Sequence, residues 1–228
     1  MYKHIFFDLD RTLWDFDTNT KDTIREIYNS YNFQTTIGDF DEWYANYQKH
    51  NIHLWDLYGL GEIKKEYLRD MRFYFALKDY GVDDMALGAE FGKKFVERSP
   101  LKTTVFPHVN EVLSYLSKKY RLHIITNGFQ EIQLTKLTNT KLIRFFDNVF
   151  TSDVIGYNKP NLGIFHHAVS SLNARKNECL MVGDDFKSDI IGARNSNIDQ
   201  VFFNHKDAVY DVKPTYEIKS LKDLENFL

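Results

Sequence analysis

The sequence predicts a doubly wound parallel α/β sheet with one helical insertion, and three observations support this. Short apolar runs recur, each closing on a polar or small residue: His4 to Phe7, Leu122 to Ile125, Asn148 to Phe150 and Cys179 to Val182. Runs that are hydrophobic throughout, rather than alternating, suit strands covered on both faces. From residue 104 onward, patterns with helical spacing separate these runs. Residues 15–102 contain no convincing strand.

Taken in order, the first strand ends at Phe7, and a series of amphipathic helices follows. Ile24, Ile27, Tyr28 and Tyr31 share one helical face, as do Phe40, Trp43, Tyr44 and Tyr47. Ile63, Tyr67, Leu68, Met71 and Phe75 form a third pattern that Gly81 ends, and a fourth, Met85 to Arg98, stops before Ser99-Pro100. Beyond the insertion, Val109, Val112, Leu113 and Leu116 mark a helix, as do Ile164, Phe165, Ala168 and Leu172. Val201 to Phe203 and Tyr216 to Ile218 extend the sheet. The predicted organisation is therefore an α/β core of residues 1–14 and 103–228, interrupted by an α-helical cap of residues 15–102. The two chain crossings between them make a natural hinge.

Composition removes several classes of function. With 228 residues, 43% of them hydrophobic and 27% charged, the chain has the make-up of an ordinary globular protein. Its 29 basic and 32 acidic residues leave a net charge of −3, so there is no basic excess for a nucleic-acid polymer. The aromatic share of 16% is scattered and reads as packing. Cys179 is the lone cysteine and sits in an apolar run, which points to a buried, inert thiol. No stretch approaches the roughly 18 apolar residues of a membrane span. The apolar run before Asp8 is too short for a signal peptide, so a cytoplasmic location is expected. The oligomeric state is left open.

Ligands of open α/β sheets bind at the carboxyl ends of the strands. The residues there are Asp8 and Asp10, then Thr126 and Asn127, then Lys159 on a loop, then Asp184, Asp185 and Asp189. Carboxylates with one ammonium and one hydroxyl suit a divalent cation and a phosphoryl group. In Asp8-Leu9-Asp10-Arg11-Thr12 the two acids are two apart, so on extended chain both face one ligand. One could attack phosphorus while the other protonates the leaving oxygen and later deprotonates water. A hard cation with oxygen ligands is the natural partner of the attacking carboxylate. Thr126-Asn127-Gly128 offers a hydroxyl and backbone N–H groups at a helix entrance. Each segment also has a plainer reading: a turn cap for the acidic pair, a helix N-cap for Thr126, a solvated turn for Lys159, and capping and dipole compensation for Asp185 and Asp189. Their occurrence together, in strand order, selects the catalytic reading.

On these residues the sequence resembles the haloacid dehalogenase-like (HAD) superfamily across essentially the whole chain. The match runs through Asp8-Leu9-Asp10-Arg11-Thr12-Leu13, Ile125-Thr126-Asn127-Gly128, Lys159-Pro160 and Gly183-Asp184-Asp185 with Asp189. The resemblance implies a Rossmann-like core with a helical cap, Asp8 as nucleophile and Asp10 as general acid and base. It implies that Thr126 and Lys159 hold the phosphoryl group, and that Mg2+ is bound by Asp8, the Asp10 carbonyl and Asp184, with Asp189 in the outer shell. Asp185 stands where the family often has Thr or Ser, and Arg11 where it is often small. Dehalogenases lack the second carboxylate, so Asp10 argues against that branch. The chain also resembles the pyrimidine 5′-nucleotidase branch, through Ile125-Thr126-Asn127-Gly128-Phe129, Ser152-Asp153-Val154-Ile155-Gly156 and, in the cap, Asn51, Leu54-Trp55 and Tyr58. That similarity implies a nucleoside 5′-monophosphate substrate, with Trp55 or Tyr58 stacking on the base. A phosphatase for another small phosphorylated metabolite, a sugar phosphomutase and a non-catalytic HAD-shaped binding module are the competing expectations.

Overall fold

The computed structural model describes residues Met1–Leu228. It separates into two compact units, Met1–Phe16 with Thr103–Leu228, and Asp17–Lys102. In chain order the elements are β1 (His4–Phe7), α1 (Phe16–Ser30), α2 (Phe33–Thr36), α3 (Phe40–Gly59), α4 (Lys65–Lys78), α5 (Met85–Arg98) and α6 (Val109–Leu116). They continue with β2 (Arg121–Thr126), α7 (Gln130–Asn139), β3 (Asn148–Thr151), α8 (Ser152–Ile155) and α9 (Leu162–Ser171). The last are β4 (Cys179–Gly183), α10 (Gly192–Asn195), β5 (Asp199–Phe203) and β6 (Tyr216–Ile218).

The six strands form one parallel sheet in the order β3-β2-β1-β4-β5-β6. This is the doubly wound arrangement expected from the apolar runs, and its strand order reverses beside β1. The alternation of side chains explains why the runs are apolar throughout. Ile5, Phe7, Leu122, Ile124, Leu180 and Val182 enter one core with α6 and Leu137 of α7. Phe6, Ile125, Phe150 and Met181 enter the other, with Ile164, Phe165 and Ala168 of α9. Two histidines are tolerated inside these runs because they satisfy one another. His4 Nδ1 lies 3.1 Å from His123 Nε2, and the Asn148 amide lies 3.2 Å from the other His123 ring nitrogen. Burial pushes the His123 pKa down to about 4 and keeps the ring neutral at physiological pH. Cys179 is buried, and burial raises its thiol pKa to about 12, which makes it a poor nucleophile.

Register fixes the working end of the sheet. Phe7 pairs with Ile124 on one side and Val182 on the other. Asp8, Ile125 and Gly183 therefore stand level, one residue further on, and the loops that follow start from the same height.

The inserted unit is held by aromatic packing among Tyr28, Phe40, Trp43, Tyr47, Phe73 and Phe91. Tyr47 stacks on Phe73 at 4.8 Å and Phe73 on Phe91 at 4.6 Å, spacings at which ring pairs add to plain burial. The first, second and fourth helical patterns form where the sequence places them. The third is corrected: Ile63 precedes α4 and Tyr67 is exposed, while Phe73, Ala76 and Leu77 face the core. Buried Arg72 on the same helix disguises that face. Its guanidinium lies near the Phe73 and Phe95 rings, one nitrogen donates to Asn51 Oδ1 at 3.0 Å, and Nε has no partner.

Candidate active site

The site forms where β1, β2 and β4 end. Asp8 leaves β1 with its backbone N–H still donating to Val182 O at 2.9 Å, so its carboxylate is placed by the sheet itself. The next residues turn tightly: the N–H groups of Leu13 and Trp14 both reach Leu9 O. Arg11 adopts φ 66°, the left-handed conformation this turn requires, and its guanidinium covers the Phe16 ring at 4.3 Å. The turn brings Thr12 beneath the acids. Its hydroxyl lies 3.4 Å from Asp8 Oδ2 and 3.3 Å from Asp184 Oδ1, and it accepts from the Asp184 N–H at 3.1 Å.

Lys159 arrives from the β3–α9 connection. Asn127 holds that loop by both faces of its amide, accepting from the Lys159 N–H at 2.7 Å and donating to Lys159 O at 3.0 Å. Its side chain thus grips main chain. The ammonium is driven inward to 5% residue exposure, where it donates to Asp8 Oδ1 at 2.5 Å, Asp189 Oδ1 at 2.6 Å and Ile125 O at 2.9 Å. A solvated turn lysine is therefore ruled out. Burial opposes this charge, but the Asp189 and Asp8 carboxylates outweigh it and hold its pKa above the ordinary lysine value.

Asp184 follows Gly183 at the end of β4. Asp189 lies on a short π-helical segment, Phe186–Ile191, rather than on the first turn of an α-helix. That wide turn points it inward, fully buried against Lys159. Gly183 is required here, because a Cβ would sit 2.2 Å from Asp189 Oδ2. Asp185 is exposed and caps the segment by accepting from the Ser188 N–H at 2.7 Å.

Ligand oxygens of Asp8, Asp184 and Asp189 lie within 4.8 Å of one another. One buried ammonium, bonded to Asp8 and Asp189, faces three acids, so full ionisation of all three would leave an excess of two negative charges. Burial, aggravated by Asp8 and Asp189, pushes the Asp184 pKa up to about 8. Burial likewise lifts Asp189 to about 7, and Asp8 is also raised. An all-oxygen donor set with this surplus charge fits a hard divalent cation.

Two residues that the sequence did not single out complete the site. From α7, Gln133 Nε2 donates to Asp10 Oδ2 at 2.9 Å and to Thr126 Oγ at 2.7 Å, and Lys136 Nζ meets Asp10 Oδ1 at 2.5 Å. Thr126 ends β2 and is not a helix cap; α7 starts only at Gln130, with Phe129 at the N-cap position. Thr12 of the first motif also joins the site, its hydroxyl bridging Asp8 and Asp184. The available signal for α7 was a polar pair three residues apart, adjoining Leu137 on the inward face. Trp55 and Tyr58 lie on α3 of the other unit, partly buried and packed edge to face at 5.7 Å.

A doubly wound core whose central strand ends in paired aspartates, answered by a buried lysine and a further acidic loop, defines a hydrolase of the haloacid dehalogenase type. The chain belongs to that family: the sequence profile of haloacid dehalogenase-like hydrolases matches residues 2–197. It is an enzyme and a phosphatase of that family. Similar proteins include the pyrimidine 5′-nucleotidase YjjG of Escherichia coli (strain K12), 32% identical over 98% of this chain and 96% of that one. The pyrimidine 5′-nucleotidase PynA of Streptococcus pneumoniae is 28% identical over 98% of this chain and 93% of its own. Among solved structures, magnesium-bound HAD-hydrolase YfnB from Bacillus subtilis superposes with a TM-score of 0.89 at 26% identity, covering 99% of this chain and 97% of its own. No helix is long and apolar enough to cross a membrane.

Proposed function

We propose that this chain hydrolyses a nucleoside 5′-monophosphate through a phosphoryl group carried transiently on Asp8. The observation that supports it most is the convergence of Asp8, Lys159 and Asp184 at the level end of three adjacent strands, with Asp10 held beside them. In the first half-reaction an Asp8 carboxylate oxygen bonds to phosphorus as the ester P–O bond breaks, and Asp10 gives its proton to the departing oxygen. In the second, a water oxygen bonds to phosphorus, Asp10 takes the water's proton, and the Asp8–phosphorus bond breaks to release phosphate. Lys159 and the Thr126 hydroxyl meet the phosphoryl oxygens and stabilise the charge that builds on them. Asp8, Asp184 and the Asp10 carbonyl would hold Mg2+, which supplies charge neutralisation between the attacking carboxylate and the phosphate. Asp189 holds Lys159, while Asp185 and Asn127 fix the loops around the site.

The nucleotide assignment draws on the two relatives described as pyrimidine 5′-nucleotidases. On the inserted unit, Trp55 and Tyr58 are the side chains we assign to base recognition. The test is phosphate release, with and without Mg2+, across nucleoside monophosphates, glyceraldehyde 3-phosphate, sugar phosphates and an aryl phosphate. Hydrolysis favouring pyrimidine nucleotides supports the assignment. A preference for glyceraldehyde 3-phosphate or a sugar phosphate would overturn the nucleotide assignment and leave the phosphatase reading in place. Isomerised sugar phosphate without free phosphate would indicate a mutase. Asp8→Asn is nearly isosteric and cannot attack, so it should fold and lose turnover; retained hydrolysis in a folded variant would remove Asp8 from this role.

A further inference from the structure

We infer that Gln133 and Lys136, one turn apart on α7, are positioning residues that aim Asp10 and set the direction of the Thr126 hydroxyl; this rests on the acid and base role proposed for Asp10. Both side chains are withdrawn from solvent, Gln133 completely and Lys136 to 4% exposure. An uncharged amide and an ammonium so placed lower stability unless their partners compensate. What they contact is the carboxylate that the reaction needs.

Asp10 is clamped at both oxygens, Oδ2 by Gln133 and Oδ1 by Lys136. The ammonium is supported on its other side by the Trp14 ring at 4.3 Å. A carboxylate offers about four acceptor positions, and one donor on each oxygen leaves one free on each, for the proton and for the substrate. Two donors from one rigid helix thus fix the plane of a side chain that otherwise rotates freely at the end of β1.

Gln133 carries a second consequence. Its amide nitrogen has two hydrogens, one directed to Asp10 and one to Thr126 Oγ. The opposite amide orientation would set its oxygen against a carboxylate, so the nitrogen must face Asp10. Thr126 Oγ also accepts the Gly128 N–H at 3.1 Å. With both acceptor positions filled, the hydroxyl can only donate, and a donor is what a phosphoryl oxygen requires. The cost is visible at the other end of the amide, where Gln133 Oε1 is buried without a partner. The clamp is also sterically specified: a Cβ on Gly128 would lie 2.3 Å from Gln133 Nε2.

The test uses leaving groups. An aryl phosphate departs as a stable phenolate and needs little proton donation, whereas a nucleoside alkoxide needs it. We would measure kcat/KM, which reports steps through phosphoenzyme formation, for p-nitrophenyl phosphate and for the best alkyl phosphate, a pyrimidine nucleoside 5′-monophosphate first. The enzymes are wild type, Asp10→Asn, Gln133→Met, Lys136→Met and the conservative Lys136→Arg. General acid catalysis typically contributes about 10²–10⁴-fold, so misaiming it should raise the aryl-to-alkyl ratio by roughly tenfold or more in both methionine variants. Lys136→Arg should recover part of the ratio, and Gln133→Met should also lose some aryl activity through Thr126. If the ratio rises in Asp10→Asn but stays within about twofold of wild type in both methionine variants, the inference is overturned and the role of Asp10 stands. If it does not move in Asp10→Asn either, the role of Asp10 falls and the inference with it. Should one methionine variant fail to fold by circular dichroism, the other decides, with Gly128→Ala as a third probe that displaces Gln133.

Discussion

Replacing Lys159 with methionine keeps an unbranched stem and deletes one charge, which makes it the sharpest probe of the site's electrostatics. The native ammonium donates to two carboxylates and one carbonyl, all within 2.9 Å. Removing one partner of a buried ion pair typically costs about 3–5 kcal/mol, because the remaining charge is left without compensation. Here two carboxylates are left, but each can relieve the cost by taking a proton. Asp189 already titrates at about 7, and the Lys159 charge is what restrains it from rising further. A carboxyl whose folded pKa lies above its unfolded value binds protons on folding, so its stability contribution is lost as pH rises through that interval. The deficit of the Lys159→Met protein should therefore be small near pH 5 and largest near pH 8. For chains of this size 1 kcal/mol corresponds to roughly 2–4 °C, so at pH 8 the metal-free variant should melt about 6–20 °C below wild type. Calorimetric melts in chelator at both pH values provide the check. A Tm within about 3 °C of wild type at pH 8, or a deficit that does not shrink in acid, would refute the account of Lys159 as the charge on which this cluster depends.

Three other outcomes follow from the same geometry. Because burial and its acidic neighbours lift Asp184 to about 8, metal-free wild type should lose stability as pH rises from about 4 to about 8. Added Mg2+ should then raise Tm more at pH 8 than at pH 6, and equal increments would contradict the charge accounting. In Gly183→Ala the new methyl group would collide with Asp189, so turnover should fall at least tenfold with a stability loss of about 1–3 kcal/mol; full activity would show that Asp189 can move without consequence. Arg72 is buried in the inserted unit without a carboxylate bonded to it, so its charge carries a desolvation cost that no ion pair offsets. Arg72→Met should accordingly melt no lower than wild type, and a drop of several degrees would assign the guanidinium a structural role.

What could be read from the amino acids alone tracks how local the physics is. Strands covered on both faces must be apolar throughout, so β1, β2, β4 and β5 were visible as runs, with ends shifted by a residue or two where Arg121 or Asp199 joins the pairing, while the edge strands β3 and β6 are only partly buried and β6 carries Glu217 at its centre. Asp8, Thr126 and Asp184 were visible because each stands at or just past the end of such a run, whereas Lys159 and Asp189 lie further along their loops and were legible only in company with the others. Two classes of feature were hidden. Gln133 and Lys136 are polar, and polar residues on a helix read as its solvent side until a distant carboxylate is placed opposite them. Arg72 misled in the same way, shifting the inferred face of α4 towards Tyr67, which is exposed. The π-helical segment carrying Asp189 was hidden for a different reason: Phe186–Ile191 has the same short-range composition as an ordinary helical turn.

The neck between the two halves of the core bears on how the protein could have been assembled. Trp14 bridges Val105, the Asp15 N–H reaches Thr104 O at 3.1 Å, and the Phe106 N–H reaches Leu13 O at 2.9 Å, so outgoing and returning chain are stitched together within the core. Once that seam is made, loop closure grows only logarithmically with the length spliced in. The catalytic sheet is thereby insulated from whatever lies beyond the seam, so lengthening, shortening or exchanging the excursion need not disturb a single strand register.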